Sequence, residues 1–89
     1  EVVINRCFGG FSLSEEACKI LGLEHSHSFI SRDDPKLVEC VKTLGSKRAS
    51  GRCANLVIVN IPDGTNYGIE EYDGVETLVN EDYRDKFYL

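Results

Sequence analysis

Two uninterrupted apolar runs, Val2-Val3-Ile4 and Leu56-Val57-Ile58-Val59, do most to restrict the folds open to this chain. Both are rich in β-branched residues, which suit a pleated strand better than a helix. Neither alternates with polar residues, so each predicts a strand covered on both faces. Two helical patterns lie between them. Continuous apolar strands separated by helices favour parallel pairing through a right-handed crossover. The expectation is an α+β fold, one domain over residues 1–89, with a mixed sheet covered by helices on one or both faces.

The first helical pattern follows the Cys7-Phe8-Gly9-Gly10-Phe11 turn. Ser12 stands three residues before Glu15, the spacing of a capping box. Leu13, Ala17, Ile20 and Leu21 then form one stripe, and Gly22 is placed to stop the helix in a left-handed conformation. The second opens with Asp33-Asp34-Pro35, an aspartate cap followed by proline at the first helical position. Leu37, Val38, Val41 and Leu44 make its stripe, and Gly45 ends it. Residues 46–51 read as a polar, basic loop. Residues 23–30 read as a loop or a short strand ending at Phe29-Ile30.

The last third predicts a hairpin. Segments 67–72 and 75–79 flank Asp73-Gly74, a type I′ turn signal. A two-residue turn sets Tyr72 opposite Val75, Glu71 opposite Glu76, and Ile69 opposite Leu78. Glu71 and Glu76 then form a like-charge pair, to be relieved by a cation, a shared proton, or an Arg or Lys. From Asn80 a short helix is expected, with Tyr83 and Phe87 on one face.

Charge and size narrow the functional classes. The chain has 89 residues and a formal net charge of −5. Without a basic stripe it is a poor ligand for nucleic acid or an anionic membrane. No apolar run approaches the ~20 residues of a membrane span, and no signal-peptide core opens the sequence. Cys18 and Cys40 fall within helical patterns, and no two of the four cysteines form a CxxC pair. Free thiols and an intracellular setting are therefore expected.

Four segments are candidates for chemistry or binding. Gly9-Gly10, between a strand and a helix start, allows backbone N–H groups to converge on a phosphate or nucleotide, with Arg6, Arg32 and Arg52 as charged partners. The alternative is a tight turn whose aromatic neighbours pack on the core edge. Cys7 beside Arg6 is a candidate thiolate nucleophile or a structural thiol. His25 and His27, two apart, share one face of a strand but lack further ligands nearby, so no metal site is assigned. Glu71 and Glu76 on the hairpin, with Tyr83 and Phe87 in the tail, form a candidate interaction surface. No catalytic set and no cofactor is assigned.

Residues 2–14, reading Val-Val-Ile-Asn-Arg-Cys-Phe-Gly-Gly-Phe-Ser-Leu-Ser, resemble the opening of a family of small proteins of bacteriophages and large DNA viruses. Ser31-Arg32-Asp33-Asp34-Pro35, Gly51, Asn55-Leu56, Ile61-Pro62-Asp63 and Glu71-Tyr72-Asp73-Gly74 extend the likeness in order, while residues 21–28 depart from it. The family has no established activity, so the resemblance implies a viral or phage type, acting in the host cytoplasm, and no mechanism. The leading expectation is a non-enzymatic protein-interaction module with a protein partner or a second copy of itself. The alternative is a protein that binds a small anionic ligand at the glycine turn.

Overall fold

Antiparallel pairing joins the two apolar runs, now strands β1 (Val2–Asn5) and β2 (Leu56–Val59), with Val3 opposite Ile58 and Asn5 opposite Leu56. The computed structural model describes residues 1–25, 29–62, 64 and 66–80. The parallel pairing expected from the sequence is thus corrected, and with it the mixed sheet: each described pair of strands is antiparallel. The apolar runs reported burial on two faces, and helices on both sides of a parallel sheet are not the only way to supply it. Here Val3, Leu56 and Ile58 pack against helices. Val2, Ile4, Val57 and Val59 pack against a β-hairpin.

Three helices make the first covering layer: α1 (Glu15–Leu21), α2 (Pro35–Leu44) and α3 (Ser46–Ala49). The Ser14 hydroxyl, not that of Ser12, caps α1 by accepting the Ala17 N–H at 3.1 Å. The reason lies in the preceding backbone. Ser12 and Ser14 run extended beside residues 49–51, with Gly51 N–H donating to the Ser12 carbonyl and Ser14 N–H to that of Ala49. That pairing delays the helix and leaves Ser12 buried, its hydroxyl without a hydrogen-bond partner among the described residues.

Gly22 (φ 71°) closes α1 as expected. Asp34 caps α2 through the Lys36 N–H at 2.8 Å, and Pro35 opens it. Residues 46–49, expected as loop, are instead the short helix α3, tied to its surroundings by Ser14 Oγ donating to the Arg48 carbonyl. Leu37, Val38, Cys40, Val41 and Leu44 of α2 meet Ala17, Cys18, Ala49, Val3 and Leu56 in one apolar cluster. Full burial of a side chain such as Leu37 contributes about 1.5–3 kcal/mol.

The hairpin is the other layer. Strands β3 (Tyr67–Tyr72) and β4 (Val75–Asn80) pair in the expected register, Glu71 opposite Glu76 and Ile69 opposite Leu78. Asp73 (φ 51°) and Gly74 (φ 90°) both take positive φ, as a type I′ turn requires. Leu78 is the hairpin's chief apolar contact with Val2, Ile4 and Val59. The chain is therefore an α+β fold of helices, central strand pair and hairpin. The described parts of residues 23–30 contain no strand. Asn80, expected to begin a short helix, instead ends β4, and the rest of that expected helix, with Tyr83 and Phe87, lies outside the described residues, as does His27.

Candidate functional site

Asn5 is a polar residue at the end of a buried apolar strand, and it organises the surrounding loops. It is fully buried, and its side chain is satisfied on both sides. Nδ2 donates to the carbonyls of Cys7 and Gly74, each at 2.7 Å, while Oδ1 accepts the Asn55 N–H at 2.8 Å. One amide thus fastens the glycine turn, the hairpin tip and the approach to β2. A buried network of this kind holds one geometry when fully satisfied.

The free edge of β1 carries the second part of the site. In an antiparallel pair, alternate residues turn their backbone groups away from the partner strand. Val3 and Asn5 are those residues. The Val3 N–H donates to the Arg32 carbonyl at 2.8 Å, and the Asn5 N–H to Glu76 Oε1 at 2.8 Å. The Glu76 carboxylate, 6% exposed as a residue, is held in turn by both terminal nitrogens of Arg32, at 2.5 and 2.8 Å. Arg32 also lies 3.7 Å above the Phe11 ring. A planar guanidinium can meet a carboxylate bidentately and stack on an aromatic ring at once. Arg6 adds a bond from Nη1 to the Glu76 carbonyl at 2.8 Å.

This arrangement resolves the like-charge pair. Glu76 turns inward to Arg32, whereas Glu71 stays exposed and accepts the Gly74 N–H at 3.2 Å. Of the hairpin's acidic residues Glu70, Glu71, Asp73 and Glu76, Glu76 therefore leaves the surface. Arg6 and Arg32 do converge, but on Glu76 and not on the glycine turn. Arg52 lies apart, lining a depression of about 510 Å³ with Ser14, Lys19 and His25. The glycine turn is closed by the hairpin. Gly9 N–H donates to the Asp73 carbonyl at 3.2 Å, and a Cβ on Gly74 would overlap the backbone of Gly10 and lie 2.7 Å from Gly9 N. A phosphate at this turn would have to displace the hairpin tip.

A cleft of about 480 Å³ opens beside Arg32, lined by Phe11, Phe29, Ile30, Ser31, Arg32, Asp33, Tyr67 and Ile69. That volume falls in the usual range for ligand sites. Phe29 is 90% exposed and Ile69 37% exposed. Burial pushes the Tyr67 hydroxyl above its ordinary range, with the Asp33 carboxylate, to which it is hydrogen-bonded, acting in the same direction. Sequence reasoning missed Asn5, Phe11, Phe29, Asp33 and Tyr67 as members of a site. The signal available was the facing Glu71 and Glu76, which demanded a cationic partner without naming Arg32.

The thiols are unpaired. Cys7 is half-buried and its carbonyl accepts from Asn5, while Cys53 is exposed. Cys18 and Cys40 are buried between α1 and α2, and burial raises both above the ordinary thiol range. Among the described residues no cluster of three metal-ligating side chains occurs, and no helix is long and apolar enough to cross a membrane. The fold and site define a small layered α+β protein with a polar lock and an adjoining aromatic cleft. Comparison with protein-family models, with curated proteins and with solved structures finds no match.

Proposed function

We propose that this chain is a non-enzymatic, intracellular protein-interaction module of viral type, which engages a partner protein through the cleft lined by Phe11, Phe29, Tyr67 and Ile69. The observation that carries the reading is Phe29, 90% exposed and more so than Phe8, Ile20, Ile69 and Tyr72, the other exposed large apolar side chains among the described residues. Burying an aromatic side chain of this kind is worth about 1.5–3 kcal/mol, which a partner's surface recovers. Phe29 is not an isolated apolar residue. It lines the same cleft as the partly exposed Ile69 and the rings of Phe11 and Tyr67, and contiguous apolar surface is what marks a contact site.

Beside the cleft Arg32 is paired with Glu76, while Asp33 takes the Tyr67 hydroxyl as a partner and forms no ion pair among the described residues. Packing, more than bond-making chemistry, is what this surface offers. Four unpaired thiols accord with a reducing compartment, and the resemblance of residues 2–14 to phage and viral proteins supports the viral type.

Selection of displayed peptides on the immobilised chain tests this, run beside a Phe29→Ser, Ile69→Ser double variant. Peptides enriched on the natural chain should lose binding to the variant while its circular dichroism stays unchanged. Peptides that bind both alike overturn the reading. So does a failure to enrich any peptide, combined with a single-chain mass by light scattering at high concentration.

A further inference from the structure

The charge balance of the cleft identifies what it accepts. Arg32 brings a positive charge, but each of its terminal nitrogens donates a hydrogen bond to the Glu76 carboxylate, which pairs that charge. The two cancel. Asp33 remains, an exposed carboxylate that forms no ion pair among the described residues and takes a neutral hydroxyl, Tyr67, as its partner. With Glu76 counted behind Arg32, the cleft and its support carry one net negative charge, that of Asp33, set among Phe11, Phe29 and Tyr67. An anion entering here would meet Asp33, and Arg32, the cation of the lining, is already paired with Glu76. A cation would meet a carboxylate and aromatic rings whose quadrupoles attract positive charge.

Arg32 already gives an example of that chemistry within the chain: a guanidinium on the Phe11 ring, held by a carboxylate. The long-range field has the same sense. The chain carries a net charge of −5, with Glu71 and Asp73 exposed on the hairpin, so a basic segment is drawn towards it.

We infer that the cleft receives a lysine or arginine side chain from an extended segment of a partner protein, placed between Phe29 and Tyr67 with Asp33 as its counter-charge. This rests on the interaction reading above and supplies the chemistry of the partner. Asp33 provides the charge selectivity, and Phe29 and Tyr67 provide contact with the aliphatic stem and the cationic head.

The test is a titration of the full isotope-labelled chain with short acetylated, amidated peptides differing at one central residue: lysine, arginine, norleucine or citrulline. Lysine and arginine peptides should shift the amide resonances of Ile30, Ser31, Asp33, Tyr67 and Ile69. The uncharged counterparts should bind about tenfold more weakly, the scale of one desolvated cation–π and charge contact. Asp33→Asn should erase that preference while its spectrum stays folded, and Phe29→Ser should weaken every peptide. Equal binding of charged and uncharged peptides overturns the cation assignment and leaves the interaction reading standing. Shifts confined to another surface also overturn it. If no peptide at millimolar concentration moves the cleft, and display selection fails as well, both readings fall together.

Discussion

The central strand pair is held on its two faces by different kinds of contact. Towards the helices, Val3, Leu56, Ala17, Leu37, Val41 and Ala49 form a broad cluster of apolar side chains. Towards the hairpin the fully buried apolar contact is small, Val2, Ile4 and Val59 against Leu78, and directional bonds from Asn5, Arg6 and Arg32 complete it. A two-stranded hairpin is at best marginal by itself. Apolar area holds the layers together without fixing how they are turned. The polar lock sets the seat of the hairpin, and with it the walls of the cleft that Tyr67 and Ile69 supply.

Breaking the lock on one side is the strongest test of that contrast. Glu76→Ala strands Arg32 and removes the acceptor of the Asn5 N–H, so urea denaturation should show a loss of about 3–5 kcal/mol. Replacing both partners, Arg32→Met with Glu76→Leu, should recover much of that loss, because a buried ion pair is costly to break and cheap to replace. On the helical face, Leu37→Ala should cost about 2–5 kcal/mol through the cavity it leaves, with no paired substitution to restore it. A double variant as unstable as Glu76→Ala alone would show that the lock's bonds, and not the stranding of one charge, set the cost.

A smaller effect is expected at the hairpin tip. Gly74→Ala forces a side chain at positive φ against the Gly10 backbone, a strain of about 1–3 kcal/mol. The same substitution at Gly10, where a Cβ would meet nothing within 4 Å, should cost less.

Alkaline pH separates the two faces more gently. The Cys18 and Cys40 thiols are raised by burial, so their contribution is complete below the ordinary thiol pKa of about 8.5 and is lost as pH rises through the higher folded values. Tyr67, raised on the hairpin side, follows the same sign above about 10. Stability against urea should therefore decline from about pH 8.5, with a further loss beginning at about pH 10. A Cys18→Ala, Cys40→Ala variant, referred to its own stability at neutral pH, should lack the first phase and keep the second.

Local signals made much of the fold legible. Asp34-Pro35 placed the start of α2, Gly22 and Gly45 the helix ends, and Asp73-Gly74 the hairpin register, because each acts within a few residues. Strand direction was not legible, since an uninterrupted apolar run records burial on two faces and is the same read in either sense. The Ser12–Glu15 spacing suggested a cap that pairing with residues 49–51 pre-empted. Helix α3 escaped notice because its four residues are mostly polar and tertiary bonds hold them. The site was legible only as a need. Glu71 facing Glu76 called for a cation, but Arg32 lies 44 positions away in the chain, and no local pattern joins them.

The bonds at the edge of β1 also bear on how the protein keeps its own copies apart. A short strand of Val, Val and Ile with unpaired amides is a ready template for cross-β stacking. Here the Arg32 carbonyl and the Glu76 carboxylate occupy those amides, while Ser50 Oγ accepts the Leu56 N–H on the far edge of the pair. Neither group can pass the pattern on to another chain, as a third strand would. The lock that seats the hairpin thus also ends the sheet, and a chain whose lock fails is a candidate for aggregation before it has globally unfolded.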